Sequence, residues 1–215
     1  MSVTLQQSCD QFITRLQTRN RITLDPYDLS EWLRGTYTTV QRKVGKRPDR
    51  EQIKTAVADF VVRVRRANPS GQDPYDRLFY QRAWAMTRSF GLSFGISQKL
   101  LNIIIKYHFC YYHSKRDPVW NAANEWIATC SPSFHIPIDS KVMANLLSLQ
   151  PIYQQFIVPR QVGATFWLNQ VRIPWTKLTD DCPYKVVQYL VREDIRAKCV
   201  PFLYPLEYEL AVLWR

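Results

Sequence analysis

The chain has little glycine, no paired cysteines and no long apolar run, and each shortage removes a class of protein. Six glycines in 215 residues leave little room for Gly-rich phosphate loops and exclude a collagen-like repeat. Cys9, Cys110, Cys130, Cys182 and Cys199 form no C-x-x-C pair and are odd in number, which argues against a disulfide framework and against a zinc or iron–sulfur site. No metal and no cofactor are expected, and the thiols are expected to be reduced, as in a cytosol. The most apolar stretch, Leu100 to Tyr112, is interrupted by Asn102, Lys106 and His108, and the opening residues carry no apolar core ahead of a cleavage site. Neither secretion nor a membrane span is expected; the expected location is cytoplasmic, nucleoid-associated in a prokaryote. Acidic residues are scarce too, 18 against 29 Lys and Arg, so the formal net charge is +11. That bias favours a phosphate-rich partner, with nucleic acid the first expectation, and no obligate protein partner is evident.

What is present is a globular balance, 46% hydrophobic and 22% charged, over a length that suits one substantial domain. Apolar residues recur at helical spacing in segment after segment. Leu5, Phe12, Ile13 and Leu16 open the series, and Tyr27, Leu29, Trp32, Leu33 and Tyr37 follow the Asp25-Pro26 break. Further helices are expected over about 49–67, 75–90, 97–112, 117–130, 140–149, 151–159, 183–195 and from Pro205, with a strand or extended loop over 165–173. The helix from Ser97 is apolar around most of its circumference, which marks it as central. No repeat, low-complexity tract or linker divides the chain, so residues 1–215 are expected to form a single all-α unit of two interleaved helical lobes.

Between Arg42 and Arg66 stand nine basic residues and three acids, more than half of the net charge. A helix with this excess can track a nucleic-acid backbone, and Arg63 and Arg66 are the candidate contacts; a solvated helix face is the alternative. Seven Trp, twelve Tyr and ten Phe serve mainly as core. Trp120, Trp126, Trp167 and Trp175, in or beside expected loops, are the candidates for stacking on a nucleic-acid base.

Two segments carry the candidate chemistry. Phe94-Gly95-Ile96-Ser97-Gln98-Lys99-Leu100-Leu101 reads as a tight turn feeding the buried helix. Phe134-His135-Ile136-Pro137-Ile138-Asp139-Ser140-Lys141-Val142 reads as an extended apolar run leading into a helix capped by Asp139. In this order the two resemble the helix-hairpin-helix DNA glycosylase superfamily. The resemblance is concentrated in residues 75–150, with the hairpin and catalytic segment at about 91–149. It implies a glycosylase-like fold with a helix-hairpin-helix element, in which Gly95, Ser97 and Gln98 approach a DNA phosphate. Lys99 then matches the lysine of the bifunctional members, and Asp139 matches their catalytic aspartate. The 40-residue separation of Lys99 and Asp139 is similar to the archaeal 8-oxoguanine branch. Ser97 stands where the hairpin usually has a second glycine, and the cysteines of the iron–sulfur branch are absent.

The chemistry of the pair is coherent in itself. An amine among other cations and partly desolvated has its protonated form disfavoured, which makes it a nucleophile; a carboxylate at a helix N-terminus stays ionised and can stabilise a cationic sugar or take a proton. The resemblance implies a DNA glycosylase that flips out an oxidised purine such as 8-oxoguanine and cleaves the strand through a Schiff base. Three alternatives remain: excision of enzymatically modified bases from foreign DNA in antiviral defence, a non-catalytic nucleic-acid-binding module, and a protein-interaction scaffold in which the charge serves only solubility. His135 could bond a phosphate, and Trp175, Tyr184 and Gln188 are base-pocket candidates, the last two sharing one helix face.

Overall fold

The helices begin where the sequence supplies acceptors for free N–H groups and end where a residue can turn left-handed. A computed structural model describes residues 4–22, 24–45, 47–138, 177–179, 181–197 and 204–213. Among them every regular element is a helix. α1 (Leu5–Asn20) starts at a capping box, in which Gln7 N–H donates to Thr4 Oγ1 at 3.2 Å and Thr4 N–H donates to Gln7 Oε1 at 2.8 Å. α2 (Leu29–Val44) is capped by Asp28, whose carboxylate accepts from Ser30 N–H at 2.8 Å. α3 (Arg50–Ala67) buries Ile53, Val57, Phe60, Val61 and Val64 along one stripe. α4 (Gln72–Phe90) ends at Gly91, whose φ of 60° is cheap only for glycine.

α5 (Phe94–Ser114) is the centre of the protein, as its all-round apolar surface predicts: it packs against α1, α2, α3 and α4, and nearly every residue from Phe94 to Tyr111 is buried. α2 comes close enough to it that a Cβ on Gly35 would lie 2.9 Å from the Ile22 side chain and 3.2 Å from Tyr107. α5 starts three residues earlier than the apolar spacing predicts, because the Ser93 hydroxyl accepts from Ile96 N–H at 3.2 Å and caps it there. The helix expected over 117–130 is two: α6 (Pro118–Ala122), with Asp117 accepting from Trp120 N–H at 2.9 Å, and α7 (Trp126–Cys130), followed by a 3-10 turn.

Trp120 and Trp126 are core residues and not stacking platforms. Both are buried, with Trp120 Nε1 donating to the Pro26 carbonyl at 3.1 Å and Trp126 Nε1 to Asn124 Oδ1 at 3.0 Å. Phe134 to Ile138 run extended and buried to the edge of the described chain. α8 (Cys182–Ala197) and α9 (Pro205–Tyr208), the latter continuing into a π-helical turn at Glu209–Leu213, close over α5. Cys9, Cys110 and Cys130 are free, buried thiols. The expected elements at 140–149, 151–159 and 165–173 lie outside the described residues, as do Asp139, Trp167 and Trp175. No helix among those described is long and apolar enough to cross a membrane.

Candidate functional site

The polar residues that interrupt α5 divide onto two faces, because positions four apart stack on a helix and positions one apart do not. Gln98 and Asn102 form one pair, and Lys99 and Lys106, with Ile103 between them, form the other.

The Gln98–Asn102 face grips the extended segment. Gln98 Nε2 donates to the Ile138 carbonyl at 3.3 Å, and Asn102 Nδ2 donates to the Ile136 carbonyl at 3.3 Å and to the Tyr184 hydroxyl at 2.8 Å. From α8, Gln188 imitates a strand partner: its Oε1 accepts from Ile136 N–H at 3.0 Å and its Nε2 donates to the Ile136 carbonyl at 2.8 Å. His135 bridges the Tyr184 hydroxyl at 2.9 Å and the Asp76 carboxylate at 2.7 Å. Burial lowers the His135 pKa to about 4, so the ring is neutral at neutral pH, with Nε2–H facing Asp76 and Nδ1 accepting from Tyr184. Burial works against the Asp76 carboxylate, yet the His135 and Gln72 hydrogen bonds hold its pKa below the usual value.

This network corrects five of the sequence expectations. His135, Tyr184 and Gln188 are buried braces for residues 134–138, with no surface to offer a phosphate or a base. Ser97 and Gln98 are likewise fully buried; Ser97 shares a 3.1 Å hydroxyl contact with Thr87, and Gln98 holds the segment. Gly95 is corrected too: it lies inside the first turn of α5, not in the hairpin, and its N–H donates to the Leu178 carbonyl at 3.1 Å. The turn itself is residues 91–93. Asp139 and Trp175 lie outside the described residues, although the run leading to Asp139 is anchored up to Ile138.

Gln188→Leu is expected to unfasten that run. It strands a buried N–H on Ile136 and removes one of two donors to its carbonyl, a cost of about 2 kcal/mol, or a fall of roughly 6 °C in melting temperature. An unchanged melting temperature would mean that the α8 contact does not hold the segment.

The other face of α5 opens on a cavity of about 270 Å³, whose lining includes Arg15 and Arg19 of α1, Lys99 and Lys106 of α5, Pro137 and Glu209. Lys99 is only 8% exposed. Lys106 Nζ lies 2.8 Å from Glu209 Oε1 and 4.5 Å from the Phe12 ring centroid, with both charged side chains 1% exposed. Lys99, singled out from the sequence, is thus buried on the central helix, and Lys106, Glu209, Arg15 and Arg19, which the sequence reading did not single out, share its cavity. The available signal was the set of polar interruptions in the most apolar helix, since a charge on a buried helix needs a reason.

Arg63 and Arg66 are exposed on the last turns of α3. Much of the neighbouring charge is internally paired: Arg63 with Asp59 at 2.8 Å, Arg47 with Asp49 at 2.8 Å and Lys54 with Glu51 at 3.0 Å, while Arg65 donates to the Ala123 carbonyl. No group of three or more His, Cys, Asp or Glu among the described residues could hold a metal ion. No protein-family model, curated protein or solved structure matches the chain.

Proposed function

We propose that the protein is a DNA N-glycosylase of the helix-hairpin-helix type, a two-lobed unit, with Lys99 as its amine nucleophile and Asp139 as the carboxylate that serves it. The observation that carries the reading is the cavity: Lys99 and Pro137, two residues ahead of Asp139, both line it, so two motifs far apart in the sequence converge on one partly open cavity. At about 270 Å³ the space is near the small end of ligand pockets, the right scale for an extruded sugar or base and not for a folded partner.

The reaction balances with the residues named. The Lys99 amine, in its unprotonated form, forms a bond to the sugar C1′ as the bond from C1′ to the base nitrogen breaks, and the base leaves with the bonding pair and takes up a proton from solvent. The nitrogen then loses a proton to Asp139, its lone pair expels O4′, which takes that proton as the ring opens to a protonated imine, and loss of a C2′ proton to solvent with departure of the 3′ phosphate cuts the strand. An oxidised purine is the default base. Borohydride added during incubation with a panel of duplexes, bearing 8-oxoguanine, other damage or enzymatically modified bases, tests the reading. An adduct that maps to Lys99 supports it and names the base. Duplex binding with neither base release nor an adduct on any member would replace it with a non-catalytic binding module.

Duplex binding is expected to weaken steeply with salt. Arg63→Glu with Arg66→Glu reverses two exposed cations of α3 and should weaken modified and unmodified duplexes alike, by about tenfold or more at moderate salt, with a shallower salt slope. Unchanged affinity in a salt titration would move the DNA face away from α3.

A further inference from the structure

Residues 134–138 are held by a line of buried polar groups that accommodates one arrangement of protons. His135, fully buried, directs Nε2–H to the Asp76 carboxylate at 2.7 Å, and its Nδ1 accepts from the Tyr184 hydroxyl at 2.9 Å. The Tyr184 oxygen in turn accepts from Asn102 Nδ2 at 2.8 Å, and the same nitrogen serves Gln98 Oε1 at 2.9 Å and the Ile136 carbonyl at 3.3 Å. Asn102 Oδ1, also buried, has no hydrogen-bond partner among the described residues.

A second proton on His135 rearranges this line. Nδ1–H then points at the Tyr184 hydroxyl, which must turn its own hydrogen away. The Phe79 and Phe94 rings, packed against Tyr184 at 5.5 and 5.7 Å between centroids, offer no comparable acceptor. Asn102 can present its oxygen only by turning its amide over, and that takes Nδ2 away from Gln98 and from the Ile136 carbonyl. The proton has a way in: the Asp76 side chain is 30% exposed and lines an open cleft of about 830 Å³ between α4 and α8, beside Arg77, Tyr80 and Lys185.

We propose that the Asp76–His135–Tyr184–Asn102 line is an acid-released latch: with His135 neutral it fastens residues 134–138 to α4, α5 and α8, and one proton taken up at Nδ1 from the cleft side loosens them. Pro137 of this run lines the Lys99 cavity, so release alters the wall of that cavity. The latch does not depend on the glycosylase reading. From α4, Asp76, Tyr75 and Tyr80 face the ring, from α8 Tyr184 and Arg192, and from α5 the neutral Asn102. Burial raises the pKa of all three phenols, so they stay neutral. Burial, with the Arg192 charge, also opposes an imidazolium and outweighs Asp76, lowering the His135 pKa to about 4. The released form, with the ordinary value of 6.5, binds the proton more tightly. The latch is therefore fully closed above pH 6.5 and weakens as pH falls toward 4. Asp76, held below its usual value, adds a loss only in still stronger acid.

Amide hydrogen exchange of the full chain between pH 7 and pH 4, corrected for intrinsic rates, tests this at two amides: Ile136, whose N–H is bonded to Gln188, and Phe60 in α3 as the gauge of global opening. Ile136 is expected to be less protected than Phe60 and to lose about tenfold in protection per pH unit below 6.5. In His135→Gln, which can still donate to Asp76 but gains no proton, the Ile136 loss should vanish. Phe60 should keep its own acid dependence, since His108 and His113 are buried with pKa values of about 4 as well. Flat protection of Ile136 in the wild type, or protection equal to that of Phe60 at every pH, would overturn the latch. Ring resonances of the wild type give a reading that needs no variant: His135 is expected to titrate well below 6.5. A ring that titrates at 6.5 or above with Ile136 still protected would mean that Asp76 holds the imidazolium in place, and the latch would be refuted.

Discussion

Lys99→Gln is expected to abolish the borohydride adduct and strand nicking and to leave duplex binding within a few-fold of the wild type. Glutamine is close to lysine in length and can fill the same nearly buried space, so the 8% exposed position keeps its packing. It has no nucleophilic amine, so no imine forms and nothing is reduced. One lost cation removes about one phosphate's worth of salt dependence, which separates a chemical defect from a binding defect. Asp139→Asn is the companion: it keeps a side chain able to cap a helix while losing the charge, so base release should fall roughly a hundredfold or more with little change in melting temperature. Denaturing gels with and without borohydride read both variants. Retained trapping in Lys99→Gln would move the nucleophile to another amine, and Lys106, in the same cavity, is the first to examine.

Lys106→Met carries the largest expected effect on stability. The substitution leaves the Glu209 carboxylate, 1% exposed, without its lysine, and breaking a buried pair from one side costs about 3–5 kcal/mol. For a chain of this length that is a fall of roughly 10 °C or more in melting temperature. Adding Glu209→Leu should recover most of the loss, because two apolar side chains of similar volume replace two compensated charges. Differential scanning calorimetry of the single and double variants decides it. A single variant that melts with the wild type would show that the pair is not held in the folded state, and a double variant no better than the single would place the cost in packing.

The helical nature of the chain was legible because it depends on neighbours in sequence. The caps at Thr4, Asp28 and Asp117 act on N–H groups two or three residues away, and the stripe on α3 follows from a period of 3.6. The errors in extent have the same local origin: Ser93 caps α5 three residues ahead of the apolar pattern, and the break between α6 and α7 falls where Ala123–Glu125 carry no strong breaker. The centrality of α5 was legible too, from its all-round hydrophobicity.

Local pattern says which residues share a helix face; it does not say what that face meets. Tyr184 and Gln188 do lie on one face of α8, as their spacing requires, yet the face turns inward onto Ile136 and His135. Lys99 and Lys106 share a face of α5, but whether it meets solvent, a backbone or a cavity depends on α1 and on Glu209, 103 residues further along the chain. The sequence by itself determined the all-helical class, the basic charge and the position of Lys99 on a buried helix, because propensity, capping and composition are local or additive quantities. The tertiary structure alone decided that Gln98, Asn102 and Gln188 hold the extended run and that Arg15, Arg19 and Tyr107 stand at the cavity beside Lys99. Those relations are distances between residues far apart in the chain, and only the packing of helices around α5 sets them.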